Sequence, residues 1–194
     1  MEIEYREKEG TYLNTLIPQD GDIFVDVGGN SGSTPSNILS YNKKVRIIII
    51  EPFSQNIEYL KNKFGDKVEI VEKAAFNTKS KAILYVPDCH RASLRPYSQG
   101  EERFFIETDT LDSILEELHV NAVDLIKIDT EGSEPQILQE FTKYRKGTKF
   151  HIECHNNLHY VLIELLKKKA NIKKINIFTD FPDECLSQVL GEFE

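Results

Sequence analysis

Nothing in these 194 residues approaches the roughly 20 consecutive apolar residues that a membrane-spanning helix needs. The first ten, MEIEYREKEG, are charged and hold no apolar core of the kind a secretory leader requires. A cytoplasmic protein with no membrane partner is therefore expected. Blocks of basic residues are missing as well. Lysine and arginine number 24 against 32 acids, a net charge of −8, and no run of cations is long enough to follow a phosphate backbone. Nucleic acid is thus not an expected partner, and a small or uncharged substrate fits better. The three cysteines, Cys89, Cys154 and Cys185, have neither the CxxC spacing of a zinc site nor the even count of a disulfide framework. They read as free thiols, with Cys154 buried. No repeat or low-complexity linker divides the chain. One domain over residues 1–194 is expected, long enough to bury a core without disulfide or metal staples.

What the chain does contain is a regular alternation. DIFVDV and RIIII are short, nearly unbroken apolar runs, the pattern of strands buried on both faces of a parallel sheet. Between them Thr34 is a fair helix cap, with Pro35 at the first helical position. Ser54 is expected to cap a second helix, with Ile57, Leu60 and Phe64 on one face and Gly65 as its stop, before VEIV supplies a third strand. Helical stripes at Leu111–Leu118, at Ile137–Phe141 and at Leu158–Leu165 each precede another apolar run. INIFTD, the turn FPDE and LSQVLGEF read as a closing antiparallel hairpin. The predicted fold is α/β, a Rossmann-like, mostly parallel sheet with helices on both faces. Ligands bind such sheets at the carboxyl ends of the strands.

One of those ends reads VDVGGNSGST, from Val25 to Thr34. A Walker phosphate loop needs a GK[ST], and no lysine follows Gly32. A dinucleotide fingerprint needs GxGxxG, whereas Gly28, Asn30 and Gly32 give a shorter turn with an amide where the middle glycine would approach a pyrophosphate. This disfavours a nicotinamide cofactor but keeps it as the alternative. What remains is an acid, Asp26, before a small turn, and a second acid, Glu51, at the end of the next strand. Two carboxylates suit a ligand with an ammonium group and a free ribose: Asp26 near the aminoacyl part, Glu51 accepting the ribose hydroxyls. S-adenosyl-L-methionine has those groups.

The segments DVGGNSG (Asp26–Gly32), EP with Asn56 (Glu51, Pro52), KAAFN (Lys73–Asn77), TLDSIL (Thr110–Leu115), DLIKIDTEGSE (Asp124–Glu134) and IECH (Ile152–His155) follow one another along the chain. In these pieces and their order the sequence resembles the FkbM-type methyltransferases of the class I S-adenosyl-L-methionine-dependent group. The resemblance implies a seven-stranded class I fold and methyl transfer, commonly to oxygen, often on sugars or natural-product scaffolds. Gly29 and Ser31 stand where that family more often has alanine and a larger apolar residue. The region before the first strand is also short.

On this reading Asp26, Gly28, Gly29, Asn30, Gly32, Glu51 and Pro52 bind the cofactor, and the small pair Ala74 and Ala75 gives its adenine a flat wall. The bland reading makes the glycines a plain turn and the alanines core. Asp129 ends a buried strand beside the methyl donor, where it could take a proton from a hydroxyl or steer the sulfonium. Glu131 is a second candidate, whereas Glu134, at a helix start, is expected to be structural. HIECH puts His151, Glu153 and His155 on one face of a strand. His155 could be a general base, a metal ligand with Asp129 and Glu153, or a histidine satisfied by a nearby carboxylate. Residues 87–103, polar and rich in turn formers, could form a lid in which His90, Arg91, Arg95 and Tyr97 meet an acceptor, with Ser93 and Leu94 echoing a family Ser-Leu pair. A ligand-free surface loop is the alternative. A non-catalytic cofactor-binding module remains the alternative from outside enzymes.

Overall fold

Apolar runs that alternate with amphipathic stripes can bury both faces only by stacking helices on each side of one sheet. The computed structural model, which describes residues 2–6, 16–88, 91–96, 101–155, 158–178 and 186–194, has that build. Cys89, His90, Tyr97, Cys185 and the expected turn at 181–184 lie outside the described residues, as does the side chain of Arg91. In chain order the elements are β1 (Glu2–Arg6), β2 (Ile23–Val27), α1 (Ser33–Tyr41), β3 (Arg46–Ile50), α2 (Ser54–Phe64), β4 (Glu69–Val71), β5 (Ala74–Phe76), β6 (Ser80–Asp88), β7 (Arg91–Ser93) and β8 (Glu102–Thr110). Then come α3 (Leu111–Glu117), β9 (Val123–Ile128), α4 (Glu134–Glu140), β10 (Tyr144–Cys154), α5 (His159–Leu166), β11 (Ala170–Phe178) and β12 (Leu186–Phe193).

The main sheet runs β1-β11-β12-β10-β9-β2-β3-β4. Its strands are parallel except β12, which is antiparallel to both β10 and β11. The seven expected strands and their closing hairpin are present. β1 adds an eighth, from a charged segment whose Ile3 and Tyr5 carry only a short alternation. One apolar cluster packs α3, α4 and α5 on one face through Leu111, Ile114, Ile137, Leu138 and Leu162. A second packs α1 and α2 on the other through Ile38, Leu60 and Phe64. Among the described residues no helix is long and apolar enough to cross a membrane.

Two helix starts differ slightly from expectation. α1 begins at Ser33 with Gly32 as its cap, because the left-handed Gly32 (φ 67°) already turns the chain. α2 begins at Ser54 with Phe53 as cap, while Gly65 ends it as predicted. The larger difference is a second sheet, β5-β8-β6-β7, which takes in residues 87–88, 91–93 and 102–103 of the expected loop at 87–103, of which residues 89–90 and 97–100 lie outside the described residues. Its inner face carries Leu84, Val86, Phe104 and Ile106, packed with Phe53 at the start of α2. The Phe53 and Phe104 rings meet edge-on at 5.3 Å. The small sheet is thereby held over the carboxyl end of β3.

The connections after β2 and β9 diverge to opposite sides, which opens a crevice at the ends of these neighbouring strands. Backbone bonds lock the rim: Gly28 N donates to Ile50 O (2.9 Å), Asp129 N to Val27 O (2.9 Å) and Glu51 N to Val71 O (3.0 Å).

Candidate functional site

The loop after β2 is shaped by what each glycine presses against. A Cβ on Gly28 (φ 86°) would lie 1.8 Å from the carbonyl oxygen of Asp129, one on Gly29 2.2 Å from Ile49, and one on Gly32 2.5 Å from the Phe64 ring. Gly28 therefore serves first the close approach of two strand-end backbones. A side chain there would strike main chain before reaching any ligand. Gly29 and Gly32 are held against β3 and α2. Asn30 takes the left-handed conformation (φ 43°) that asparagine tolerates better than most residues.

Asn30 also meets Glu51. Its N–H donates to Glu51 Oε2 (2.8 Å), and the N–H of Phe53 donates to Oε1 (2.9 Å). The Asn56 side chain bonds the same carboxylate. Glu51 is buried, which raises its pKa, while these three bonds pull the other way. A carboxylate has about four lone-pair sites, so acceptor capacity is left for ligand hydroxyls.

An open pocket of about 610 Å³, counting its solvent-filled mouth, lies above these residues. Gly28, Asn30, Glu51, Pro52, Ala74, Ala75, Asp129 and Glu131 line it, together with Asn56, Thr130 and Ser133. Val27, Ile50, Leu84, Ala92 and Leu94 supply its apolar wall. Sequence reading did not anticipate Leu84 and Ala92, because the sheet that delivers them was not recognised. Asp26, Gly29, Gly32 and His155 do not line the pocket. Asp26 lies beneath it, on the strand face shared with Phe24 and Ile49, and is 1% exposed. Burial pushes its carboxyl up to about 6 against the pull of Lys127, whose Nζ is 3.5 Å from Oδ1.

The far side of the crevice is built from charges. Asp129 Oδ2 lies 3.1 Å from Lys127 Nζ, and its Oδ1 lies 3.2 Å from His155 Nε2. His155 Nδ1 lies 3.4 Å from Glu131 Oε2, so the imidazole bridges two carboxylates. Burial works against the Asp129 charge, but Lys127 and then His155 outweigh it and hold its carboxyl well below the usual range. Burial likewise opposes charge on His155, but Asp129, Glu131 and Glu134 raise it to about 10. The imidazole is therefore protonated near neutral pH and has no free lone pair for a proton. Asp129, Glu131 and His155 also lie close enough together to hold a cation, but only with His155 deprotonated. Glu153, the third ligand considered from sequence, accepts instead from Gln188 Nε2 (3.0 Å).

Glu131 sits in a strained left-handed conformation (φ 56°) followed by Gly132 (φ 111°). Two side chains hold that turn. Glu134, fully buried, accepts through Oε1 from Thr130 N, Thr130 Oγ1 and Gly132 N, which is the structural role expected of it. Ser133 occupies the cap position of α4 without a capping side-chain bond. Ser93 Oγ, on β7, donates to Glu131 O (2.8 Å), a tether from the small sheet. Lys127 was missed from sequence. Its signal was available, since a lysine inside the buried run DLIKID demands anionic partners.

The profile of the methyltransferase FkbM domain matches residues 26–181. No curated protein matches the sequence. Among solved structures, the precorrin-6y C5,15-methyltransferase of Geobacter metallireducens is similar with a TM-score of 0.56 at 12% identity, covering 94% of this chain and 85% of that one. Fibrillarin of Aeropyrum pernix, solved with natively bound S-adenosyl-L-methionine, gives 0.57 at 12% identity, with 89% and 67% covered. A tRNA methyltransferase of B. subtilis gives 0.55 at 15% identity, with 97% and 68% covered. At such identities the likeness carries the fold alone.

Proposed function

This chain belongs to the FkbM methyltransferase family and is an S-adenosyl-L-methionine-dependent methyltransferase, and from that premise we propose that it methylates a hydroxyl of a sugar or other small molecule, acting as one domain over residues 1–194. The observation that carries the reading is Glu51, buried at the pocket wall with its carboxylate fixed by the amides of Asn30 and Phe53. Its remaining acceptor site suits a ribose hydroxyl, and Ala74 and Ala75 leave room for a flat base beside it. The acids of the pocket also suit a cationic ligand. When bound, the cofactor supplies an electrophilic methyl group on a sulfonium.

Asp129 is the proposed acceptor-side acid. Held ionised, it accepts the hydroxyl hydrogen bond and fixes the acceptor oxygen. The hydroxyl proton becomes strongly acidic as its oxygen forms the new C–O bond, so even a weakly basic carboxylate can take it. His155 stays protonated between Asp129 and Glu131 and limits their repulsion. Glu131 is proposed to contact the acceptor from the pocket rim. The apolar wall from the small sheet keeps water from the reacting atoms. Glu51, Asp129 and Glu131 would repel phosphates, which supports a non-nucleic-acid acceptor. Calorimetry with S-adenosyl-L-methionine, S-adenosylhomocysteine and NADH tests the cofactor side. A mass-spectrometric screen of glycan and small-molecule hydroxyl acceptors tests the other. Binding of NADH alone, or turnover only on RNA, would overturn the proposal.

A further inference from the structure

We propose that Lys127 is a positioning residue that joins the cofactor loop to Asp129, so that cofactor affinity and the placement of the acceptor-side acid depend on one ammonium group. The proposal rests on the methyltransferase reading above and concerns a residue that does not line the pocket. Parallel register sets Lys127 of β9 between Asp26 of β2 and His151 of β10. Its side chain is 13% exposed. Nζ donates to Gly28 O (3.2 Å) and lies 3.1 Å from Asp129 Oδ2 and 3.5 Å from Asp26 Oδ1. The ammonium thus donates a hydrogen bond to the proposed cofactor loop and lies at ion-pair distance from Asp129 and, more loosely, from Asp26 beneath the pocket.

The contact with Gly28 O gives Lys127 control over the loop. A trans peptide points its N–H opposite to its carbonyl, so fixing Gly28 O fixes where the Gly29 amide aims. Gly28 is also pressed against the Asp129 carbonyl, and the ammonium closes the same junction from below. A methionine at 127 would leave the loop carbonyl without its donor, the buried Asp26 without a nearby cation and Asp129 with His155 alone. The charged and titratable groups facing Lys127 are Asp26 on β2, Glu51 after β3, Asp129 beyond its own strand, and His151 and Glu153 on β10. Burial opposes the charge of Lys127, but Asp129, Asp26 and Glu153 outweigh it.

The test measures S-adenosylhomocysteine affinity by calorimetry and the Asp129 carboxyl resonance by carbon NMR at neutral pH, in wild type, Lys127→Arg and Lys127→Met. Lys127→Met should keep its circular dichroism yet bind about 30-fold more weakly or worse, with Lys127→Arg within about fivefold of wild type. In Lys127→Met the Asp129 carboxyl resonance should be displaced from its wild-type position at neutral pH, because one of its two cationic neighbours is gone. A purely structural lysine would lower melting temperature without this split. Lys127→Met binding within about threefold of wild type, or Lys127→Arg as weak as Lys127→Met, would overturn the proposal. Should Lys127→Met fail to fold, the wild-type ammonium decides. Its nitrogen resonance must move when S-adenosylhomocysteine saturates the site, and an unmoved resonance overturns the proposal. A wild type that does not bind S-adenosylhomocysteine defeats the methyltransferase reading itself, a separate result from a variant that binds normally.

Discussion

The two sides of the crevice are organised by different forces. At the ends of β2 and β3, groups are held by backbone amides and close packing: Glu51 by the N–H groups of Asn30 and Phe53, and the glycines by contact with Ile49, Phe64 and the Asp129 carbonyl. At the ends of β9 and β10, Asp129, Glu131 and His155 are held by one another's charge. Amide cradles do not titrate, whereas charge bridges do. The proposed cofactor side should therefore be sensitive to shape, with Asp26 beneath it titrating near about pH 6, and the charge bridge of the proposed acceptor side should persist until pH rises toward about 10.

The sharpest way to break that contrast is Gly28→Val, because Gly28 belongs to both sides. With a Cβ only 1.8 Å from a main-chain oxygen, neither strand end can stay in place. A loss of more than about 4 kcal/mol of stability is expected, among the large effects seen for single substitutions. A thermal melt matching wild type would show that the junction yields.

Asp129→Asn should act next most strongly. It leaves Lys127 and His155 short of a carboxylate, for a cost of about 3 kcal/mol. Turnover on a hydroxyl acceptor should fall roughly 10²–10⁴-fold. Chemical denaturation and steady-state kinetics read the two effects separately, and unchanged turnover would remove Asp129 from the chemistry.

On the cofactor side, Glu51→Ala should weaken S-adenosylhomocysteine binding by about 1.5–3 kcal/mol, the scale of hydrogen bonds to a charged acceptor. That deficit should be the same at pH 7.5 and pH 8.5, above the titration of Asp26. Calorimetry finding a strong pH dependence would erase the distinction between the two sides.

The smallest effect is the most diagnostic. His155, raised from 6.5 to about 10, contributes stability that is fully present below about pH 6.5 and lost as pH rises through about 10. Asp26, raised from 3.8 to about 6, contributes stability present below about pH 3.8 and lost as pH rises through about 6. Urea midpoints of His155→Gln should lack the decline between pH 6.5 and 10. An identical slope in wild type and variant would mean that the bridge does not hold the imidazolium.

This contrast also governs what could be read from the residues alone. Buried parallel strands, helix stripes and the place of Glu51 at the end of β3 are local or nearly local patterns, and they were legible, whereas Asp26, expected beside it, lies beneath the pocket. β6 and β8 were not, because β8 turns Phe105 to solvent at 87% exposure and hides Thr108 and Asp109. An apolar residue out and polar residues in defeats the alternation by which a half-buried strand is recognised. The purpose of Gly28 was hidden for another reason. What a missing Cβ avoids is known only once β9 lies beside β2. The bridging of His155 by Asp129 and Glu131 likewise depends on two loops from different strands, and residue types could only leave base, metal ligand and paired histidine as alternatives. Lys127 was overlooked although its apolar neighbours already made it anomalous.

The Ser93 bond to the Glu131 carbonyl gives the hairpin of β6 and β7, rather than the whole small sheet, the status of an exchangeable cassette. With Leu84, Ala92 and Leu94 along it, the hairpin meets the proposed acceptor loop through the Ser93 hydroxyl and the Phe53 ring through apolar contact, while β5 with Ala74 and Ala75 stays in place. Selection, or a protein engineer, can vary that cassette to recut the acceptor wall while inheriting the cofactor machinery unchanged, provided a hydroxyl is kept at position 93.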